Sequence, residues 1–149
     1  MRKTGAGMSM KLVCMAEASA FRSIRNVRVS RPLISVIDDN ESILLALAGL
    51  LRSFGFDAKT YGSAEEFIKS GCHEISNCII TDIQMPGLNG IELKRWLDAH
   101  SCAAPVIMIT ARSEPYLRAQ ALACGAICLL TKPFEADELL TCLSKAKLG

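Results

Sequence analysis

The sequence predicts an α/β protein in which five strand–helix units form a doubly wound parallel sheet. Short apolar runs alternate with segments of helical periodicity from Pro32 to the end of the chain. Most of these runs are apolar on both faces, which is typical of parallel strands covered by helices on both sides of a sheet. With 149 residues, of which 50% are hydrophobic, the chain is long enough for one such domain.

The five predicted strands are each four or five residues long. The second is the most polar and is expected at an edge of the sheet. In chain order, the strands are predicted at Leu33–Ile37, Ala58–Tyr61, Cys78–Thr81, Val106–Ile109 and Ile127–Leu130.

The helices are predicted from apolar residues three and four positions apart and from capping residues. Asn40 is placed to cap the first helix and Gly55 to end it. Ser63 and Glu66 have the S-x-x-E spacing of a capping box. The helices are predicted at Glu41–Phe54, Ser63–Ile68, from Asn89 through Leu97, Pro115–Cys124 and Glu135–Ala146. In the last of these helices, the side chains expected to face the core are Leu139, Leu140 and Leu143.

Polar side chains follow four of the predicted strands. Asp38 and Asp39 follow the first, Asp82 the third, Thr110 the fourth and Lys132 the fifth. In open parallel sheets, ligands bind beyond the carboxyl ends of the strands, where the strand order reverses. A strand order of 2-1-3-4-5 would bring these four ends together. The sequence therefore predicts one site with three carboxylates, a hydroxyl and an ammonium group.

This combination of groups is suited to metal-assisted phosphoryl chemistry. Carboxylates about 4 Å apart repel by about 4 kcal/mol per pair at an effective dielectric constant near 20, so the cluster needs a cation. Mg²⁺ accepts one or two carboxylates and leaves positions for phosphate oxygens. Lysine and threonine can bind further phosphoryl oxygens. A carboxylate beside them can act as the nucleophile.

The formal charge of +2 is unevenly distributed along the chain. Residues 1–31 carry seven Lys or Arg and one Glu, whereas residues 32–149 carry ten Lys or Arg and fourteen Asp or Glu. The basic segment has no sustained periodicity, and we expect a disordered N-terminal extension at 1–31 before a domain at 32–149. A translation start placed too far upstream, an inert tail and a nucleic-acid or membrane-surface contact all remain open.

The seven cysteines are odd in number and include no C-x-x-C pair. We therefore expect small buried thiols in a reducing compartment rather than a disulfide framework. His73 and His100 are expected in surface loops. Since no run approaches the roughly 18 apolar residues of a membrane span, we expect a cytoplasmic protein.

The order and spacing of the motifs resemble the receiver domain of two-component response regulators over residues 32–148. Each motif alone is weak, but four motifs that each follow their own strand are specific. They are Asp38-Asp39, the segment 82–87 (DIQMPG) leading to Gly90, Thr110-Ala111 and Lys132-Pro133-Phe134. Residues 60–67 (TYGSAEEF) resemble the branch that includes nitrogen-fixation regulators. The resemblance implies a flavodoxin-like fold with strand order 2-1-3-4-5.

The resemblance also implies a phosphoacceptor and a metal site. Asp82 would receive a phosphoryl group from a histidine kinase or a histidine phosphotransfer protein. Asp39, Asp82 and the backbone carbonyl of Gln84 would hold Mg²⁺, and Asp38 would act mainly through metal-bound water. The domain would then change its binding to a downstream output protein or form a phosphorylation-dependent homodimer. We expect no turnover of an external substrate and no DNA-binding domain in this chain.

Lys132 and Thr110 are implied to act on the phosphoryl group. Lys132 would pair with Asp82 and then with a phosphate oxygen, through a cis peptide bond to Pro133, while Thr110 would move toward the new phosphoryl group. The small Ala111 would leave access for the donor. Receivers commonly carry Tyr or Phe three residues before this lysine, but this chain has Leu129. Thr110 and Leu129 are therefore the expected switch residues, with an altered coupling between them.

Two other functions share parts of this pattern. Phosphatases of the haloacid dehalogenase type also use a strand-end Asp, Mg²⁺, Thr or Ser and Lys, but they require a D-x-D motif that this sequence lacks. A receiver fold can also serve as a binding module that is independent of phosphorylation. Turnover of a small phosphate ester would identify the first, and an unmodifiable Asp82 the second.

Overall fold

The computed structural model describes residues 30–111 and 115–148. They form a five-stranded parallel sheet in the predicted order β2-β1-β3-β4-β5. The strands are β1 (Leu33–Ile37), β2 (Asp57–Tyr61), β3 (Cys78–Asp82), β4 (Val106–Thr110) and β5 (Cys128–Thr131). The helices are α1 (Glu41–Ser53), α2 (Ala64–Ser70), α3 (Gly90–Ala99), α4 (Pro115–Ala123) and α5 (Ala136–Lys145). The extension predicted at 1–31 lies outside the described residues, apart from its last two, and remains a prediction.

The core has two layers because helices cover both faces of the sheet. On one face, α1 and α5 pack residues such as Leu51 and Leu143 against the strands. On the other face, α2, α3 and α4 contribute residues such as Phe67 and Leu97. The central strands β3 and β4 are buried along their whole length, which explains their continuously apolar sequences.

The predicted caps position the first two helices. The Asn40 side chain accepts a hydrogen bond from the Ile43 N–H at 3.2 Å, and Ser63 accepts one from the Glu66 N–H at 3.0 Å. The glutamate half of the predicted capping box is different, because Glu66 accepts from the Gly62 N–H at 2.8 Å rather than from Ser63. The predicted helix and strand ends agree with the structure to within two residues.

Two predictions about side chains are wrong. Leu140 was expected to face the core, and Cys128 and Cys142 were expected to be free thiols. Leu140 is 39% exposed, since Leu139 and Leu143 share the buried face of α5 and Leu140 is rotated away from it. Cys128 on β5 and Cys142 on α5 form a disulfide with their Cα atoms 5.6 Å apart. This contact arises where α5 packs over β5, so the spacing of the two cysteines in the sequence gives no sign of it.

A short 3-10 turn at Cys72–Glu74, which the sequence analysis missed, changes the position expected for His73. The His73 ring packs edge-on against Trp96, with centroids 5.0 Å apart, and its Nδ1 is buried without a hydrogen-bond partner. His100 is exposed, as predicted, and stacks on the same indole with ring centroids 3.8 Å apart. Among the described helices, none combines the length and the hydrophobicity that crossing a membrane requires.

Candidate functional site

The candidate site lies where the strand order reverses. The chain leaves β1 for β2 on one side and β3 lies on the other, so a crevice opens beyond their carboxyl ends. Asp38 and Asp39 follow β1 directly, and Asp82 is the last residue of β3. Val36 and Ile80 are neighbours in the register of these strands, which places the residues after them side by side.

The three acids form a cluster. One carboxylate oxygen from each of Asp38, Asp39 and Asp82 lies within 4.8 Å of the others. Asp38 and Asp82 are buried, with 2% and 6% exposure, whereas Asp39 is exposed. The Asp38 carboxylate accepts a hydrogen bond from the Asn40 N–H at 2.9 Å, and its own N–H donates to the Tyr61 carbonyl at 3.1 Å. The turn after β1 thus holds Asp38 in place.

Lys132 bridges two of these acids. Its Nζ lies 3.1 Å from Asp38 Oδ2 and 3.6 Å from Asp82 Oδ1. The pair with Asp82 that the resemblance implied is present, and Asp38 is the closer partner. The Lys132 N–H donates to the Thr110 carbonyl at 2.8 Å, and the peptide bond to Pro133 is cis, as expected. The hydrogen bond to Thr110 holds the Lys132 backbone beside the end of β4, next to the cluster.

Burial, together with the neighbouring negative charges, raises the pKa of Asp82 to about 6. Burial is the largest cause, followed by the negative charge of Asp38, and Asp39 adds a smaller effect in the same direction. Lys132 opposes these effects. The single ammonium group therefore does not balance the carboxylates around Asp82, and either a proton or a further cation would relieve the repulsion.

Thr110 is close to Asp82 through the sheet, and Gln84 is close to it along the chain. Thr110 is 2% exposed and ends β4, one residue beyond Ile109, which is level with Asp82 in the sheet. Ala111 follows it and is exposed. Gln84 is exposed in the loop two residues after Asp82.

Leu129 does not lie at the cluster itself. It is half-buried, pairs with Met108 in the sheet and packs into the apolar layer beneath α3 and α4. The structure thus brings together the acids, Thr110 and Lys132, and places Leu129 deeper in the sheet.

Gly90 has a role in the site that sequence analysis did not identify. A Cβ at Gly90 would lie 2.6 Å from the backbone carbonyl oxygen of Asp82. Helix α3 therefore begins in direct contact with the backbone of the acidic residue. The glycine in the 82–90 motif was the only signal of this contact.

An apolar groove adjoins the site. It has a volume of about 630 Å³ and runs between α1 and the residues that follow β5. Its lining is Ile43, Ala46, Leu47, Leu50, Ala111, Lys132, Pro133 and Phe134. Sequence analysis did not identify this groove.

Comparison with known proteins agrees with this geometry. Residues 34–144 match the family model of the response regulator receiver domain. The transcriptional regulatory protein FixJ of Azorhizobium caulinodans is 35% identical over 116 residues, which cover 78% of this chain and 54% of that protein. Nodulation protein W of Bradyrhizobium diazoefficiens is 31% identical over 111 residues, which cover 74% of this chain and 49% of that protein. The chain thus spans about half the length of these curated relatives.

Solved structures give the same result for the fold. A response regulator receiver protein from Burkholderia phymatum is 39% identical, with a TM-score of 0.71, and the match covers 80% of this chain and 98% of that one. The crystal structure of FixJ-N is 29% identical, with a TM-score of 0.72 and coverage of 79% and 94%. With its strand order, its clustered acids and its matching sequence, this chain belongs to the receiver domain family of two-component response regulators.

Proposed function

We propose that this domain accepts a phosphoryl group on Asp82, in the presence of Mg²⁺, from a phosphohistidine of a sensor kinase or phosphotransfer protein. The observation that carries the proposal is the position of Asp82 at the end of β3. There it faces two further carboxylates within 4.8 Å and a lysine Nζ at 3.6 Å. A buried acid in a cluster with too little positive charge is suited to bind a divalent cation together with a phosphoryl group.

The residues of the cluster fit a magnesium ion. Mg²⁺ binds oxygen at about 2.0–2.1 Å, so two of its ligands lie at most about 4.2 Å apart. One oxygen of each of the three acids lies within 4.8 Å of the others, so small side-chain movements would let them share one ion. Asp39, Asp82 and the backbone carbonyl of Gln84 would be direct ligands. Asp38 would act mainly through a water molecule bound to the ion. When bound, the ion would neutralise the carboxylates and stabilise negative charge on the phosphoryl oxygens.

The transfer itself requires little chemistry from the protein. An Asp82 carboxylate oxygen attacks phosphorus and an O–P bond forms. The N–P bond to the donor histidine breaks with its electron pair going to nitrogen, and because the other ring nitrogen of the donor carries a proton, the products are an acyl phosphate and a neutral imidazole. Lys132 is close enough to bind one phosphoryl oxygen while remaining near Asp38. The Thr110 hydroxyl would bind another, and the small side chain of Ala111 leaves room for the donor.

We further propose that the apolar groove receives the donor. Ala111 and Lys132 line both the groove and the site, so a partner bound there would lie beside Asp82. A helix with an apolar face that carries the phosphohistidine is the partner of matching chemistry. The phosphorylated domain would then act in the cytoplasm as a switch, through an output protein or a second copy, without turning over an external substrate.

Phosphorylation by acetyl phosphate tests this function. Wild-type protein incubated with acetyl phosphate and Mg²⁺ should gain one phosphoryl adduct by intact mass, and Asp82→Asn should gain none. Asp57→Asn is a matched control, because Asp57 is exposed at the opposite end of the sheet. An adduct that survives Asp82→Asn, or that forms equally well in EDTA, would contradict the assignment. Sustained hydrolysis of a small phosphate ester would instead indicate a phosphatase.

A further inference from the structure

The loop between β3 and α3 carries Gln84 past the acidic cluster, and its ends are fixed. The Ile83 N–H donates to the backbone of β4 at 2.8 Å, and the Gly90 N–H donates to the Ile83 carbonyl at 2.9 Å. Met85 is buried in the apolar layer beneath. The segment between Met85 and Gly90 is exposed or half-buried, so its position depends on other contacts.

Glu65, in the first turn of α2, makes such a contact. The Leu88 N–H donates to Glu65 Oε2 at 2.9 Å, across 23 residues of sequence. Gly87 has a φ of +77°, and a Cβ there would lie 2.5 Å from the same oxygen, so the carboxylate lies directly against this glycine. The Leu88 hydrogen bond is the main cause that lowers the pKa of Glu65. The carboxylate is therefore ionised at neutral pH and the bond is charge-assisted.

We propose that Glu65 is a positioning residue that holds the loop so that the Gln84 carbonyl keeps its place beside the acidic cluster. This inference rests on the proposed function, in which that carbonyl is a Mg²⁺ ligand. Glu65 is not itself part of the acidic cluster. It also differs from its neighbour Glu66, which accepts the Gly62 N–H within its own helix start.

The role predicts a specific effect on metal binding. Without Glu65 the loop gains freedom, and Gln84 must be ordered again each time a metal binds. Loss of a residue that orients a metal ligand costs roughly 10- to 100-fold in affinity, and since Glu65 is exposed and acts through three intervening residues, we expect about 3- to 10-fold. The phosphorylation rate at saturating Mg²⁺ should not change, because Glu65 touches none of the reacting atoms.

The experiment compares Glu65→Ala, Glu65→Gln and Glu66→Ala in the full chain. Mg²⁺ binding is measured from the amide NMR signals of Gln84 and Leu88, and the Mg²⁺ dependence of acetyl phosphate labelling is measured by intact mass. Glu65→Gln keeps an acceptor oxygen and should restore most of the affinity. Glu66→Ala loses a helix-start hydrogen bond of the same kind and should bind Mg²⁺ like the wild type.

The results separate this inference from the proposed function. A 3- to 10-fold weaker Mg²⁺ affinity in Glu65→Ala, with an unchanged maximal rate and recovery in Glu65→Gln, supports the positioning role. Equal affinities in Glu65→Ala and Glu66→Ala overturn it, as does a lower maximal rate with unchanged affinity. If the wild type gains no adduct, the proposed function fails, and the NMR titration still decides whether Glu65 supports Mg²⁺ binding.

Discussion

Replacing Asp82 with asparagine should stabilise the metal-free domain at neutral pH. Folding raises the pKa of Asp82 from 3.8 to about 6, chiefly because the carboxyl group is buried and faces Asp38. At about 1.4 kcal/mol per pKa unit, a shift of this size corresponds to a cost of about 3 kcal/mol for the ionised group. Because Asp39 opens the cluster to solvent, which screens the charges, we expect about 1–2 kcal/mol. Lys132, which lies 3.1 Å from Asp38, is expected to keep that partner in the variant.

The sign of the effect depends on pH. Because the folded-state pKa of Asp82 is the higher one, its proton stabilises the fold fully below about pH 3.8, and this contribution is lost as the pH rises through about 6. Asparagine stays neutral, so the variant should be more stable at pH 7.5 and gain almost nothing at pH 4.

Urea unfolding in EDTA at these two pH values measures the difference. Asp57→Asn, at an exposed position, should change the free energy of unfolding by less than about 0.5 kcal/mol. If Asp82→Asn is no more stable than the wild type at pH 7.5, or if its gain is the same at both pH values, the electrostatic account of the site is refuted.

Three other predictions concern the same site. Mg²⁺ affinity should fall about tenfold between pH 7 and pH 5, because protons compete for an Asp82 carboxylate with a pKa of about 6; calorimetry that finds a constant affinity would exclude Asp82 as a ligand. Lys132→Ala should raise the Asp82 pKa further, as seen by carboxyl ¹³C NMR, and slow labelling by roughly 100-fold; unchanged values for both would show that Lys132 acts elsewhere. With beryllofluoride as a phosphoryl mimic, amide shifts should be larger at Thr110 and Ala111 than over residues 127–131 and α5, since Leu129 has no ring to reorient. The reverse pattern would contradict this.

The strands and the strand-end acids could be predicted from the sequence because they depend on local patterns. Continuous apolar runs such as Val106–Ile109 define buried parallel strands, and the residue after each run must lie at the carboxyl edge of the sheet. The prediction therefore placed Asp38, Asp82 and Lys132 in one site, and the structure shows the same arrangement.

The features that could not be predicted depend on how separate elements pack. The closer approach of Lys132 to Asp38 than to Asp82 is set by side-chain geometry at the end of β5. Cys142 meets Cys128 only because α5 lies over β5. The hydrogen bond from Leu88 to Glu65 joins α2 to a loop 23 residues away. In each case the two partners have no fixed spacing that a sequence motif could show.

The absence of a side chain at Gly90 has a mechanical consequence. A flexible side chain between two elements can change rotamer and absorb a small displacement, but at Gly90 the start of α3 lies against the backbone of Asp82 and Ile83 themselves. Peptide groups have no rotamers to adjust. A shift of a few tenths of an ångström in the Asp82 backbone would therefore move the first turn of α3 directly, because no side chain lies between them to absorb it.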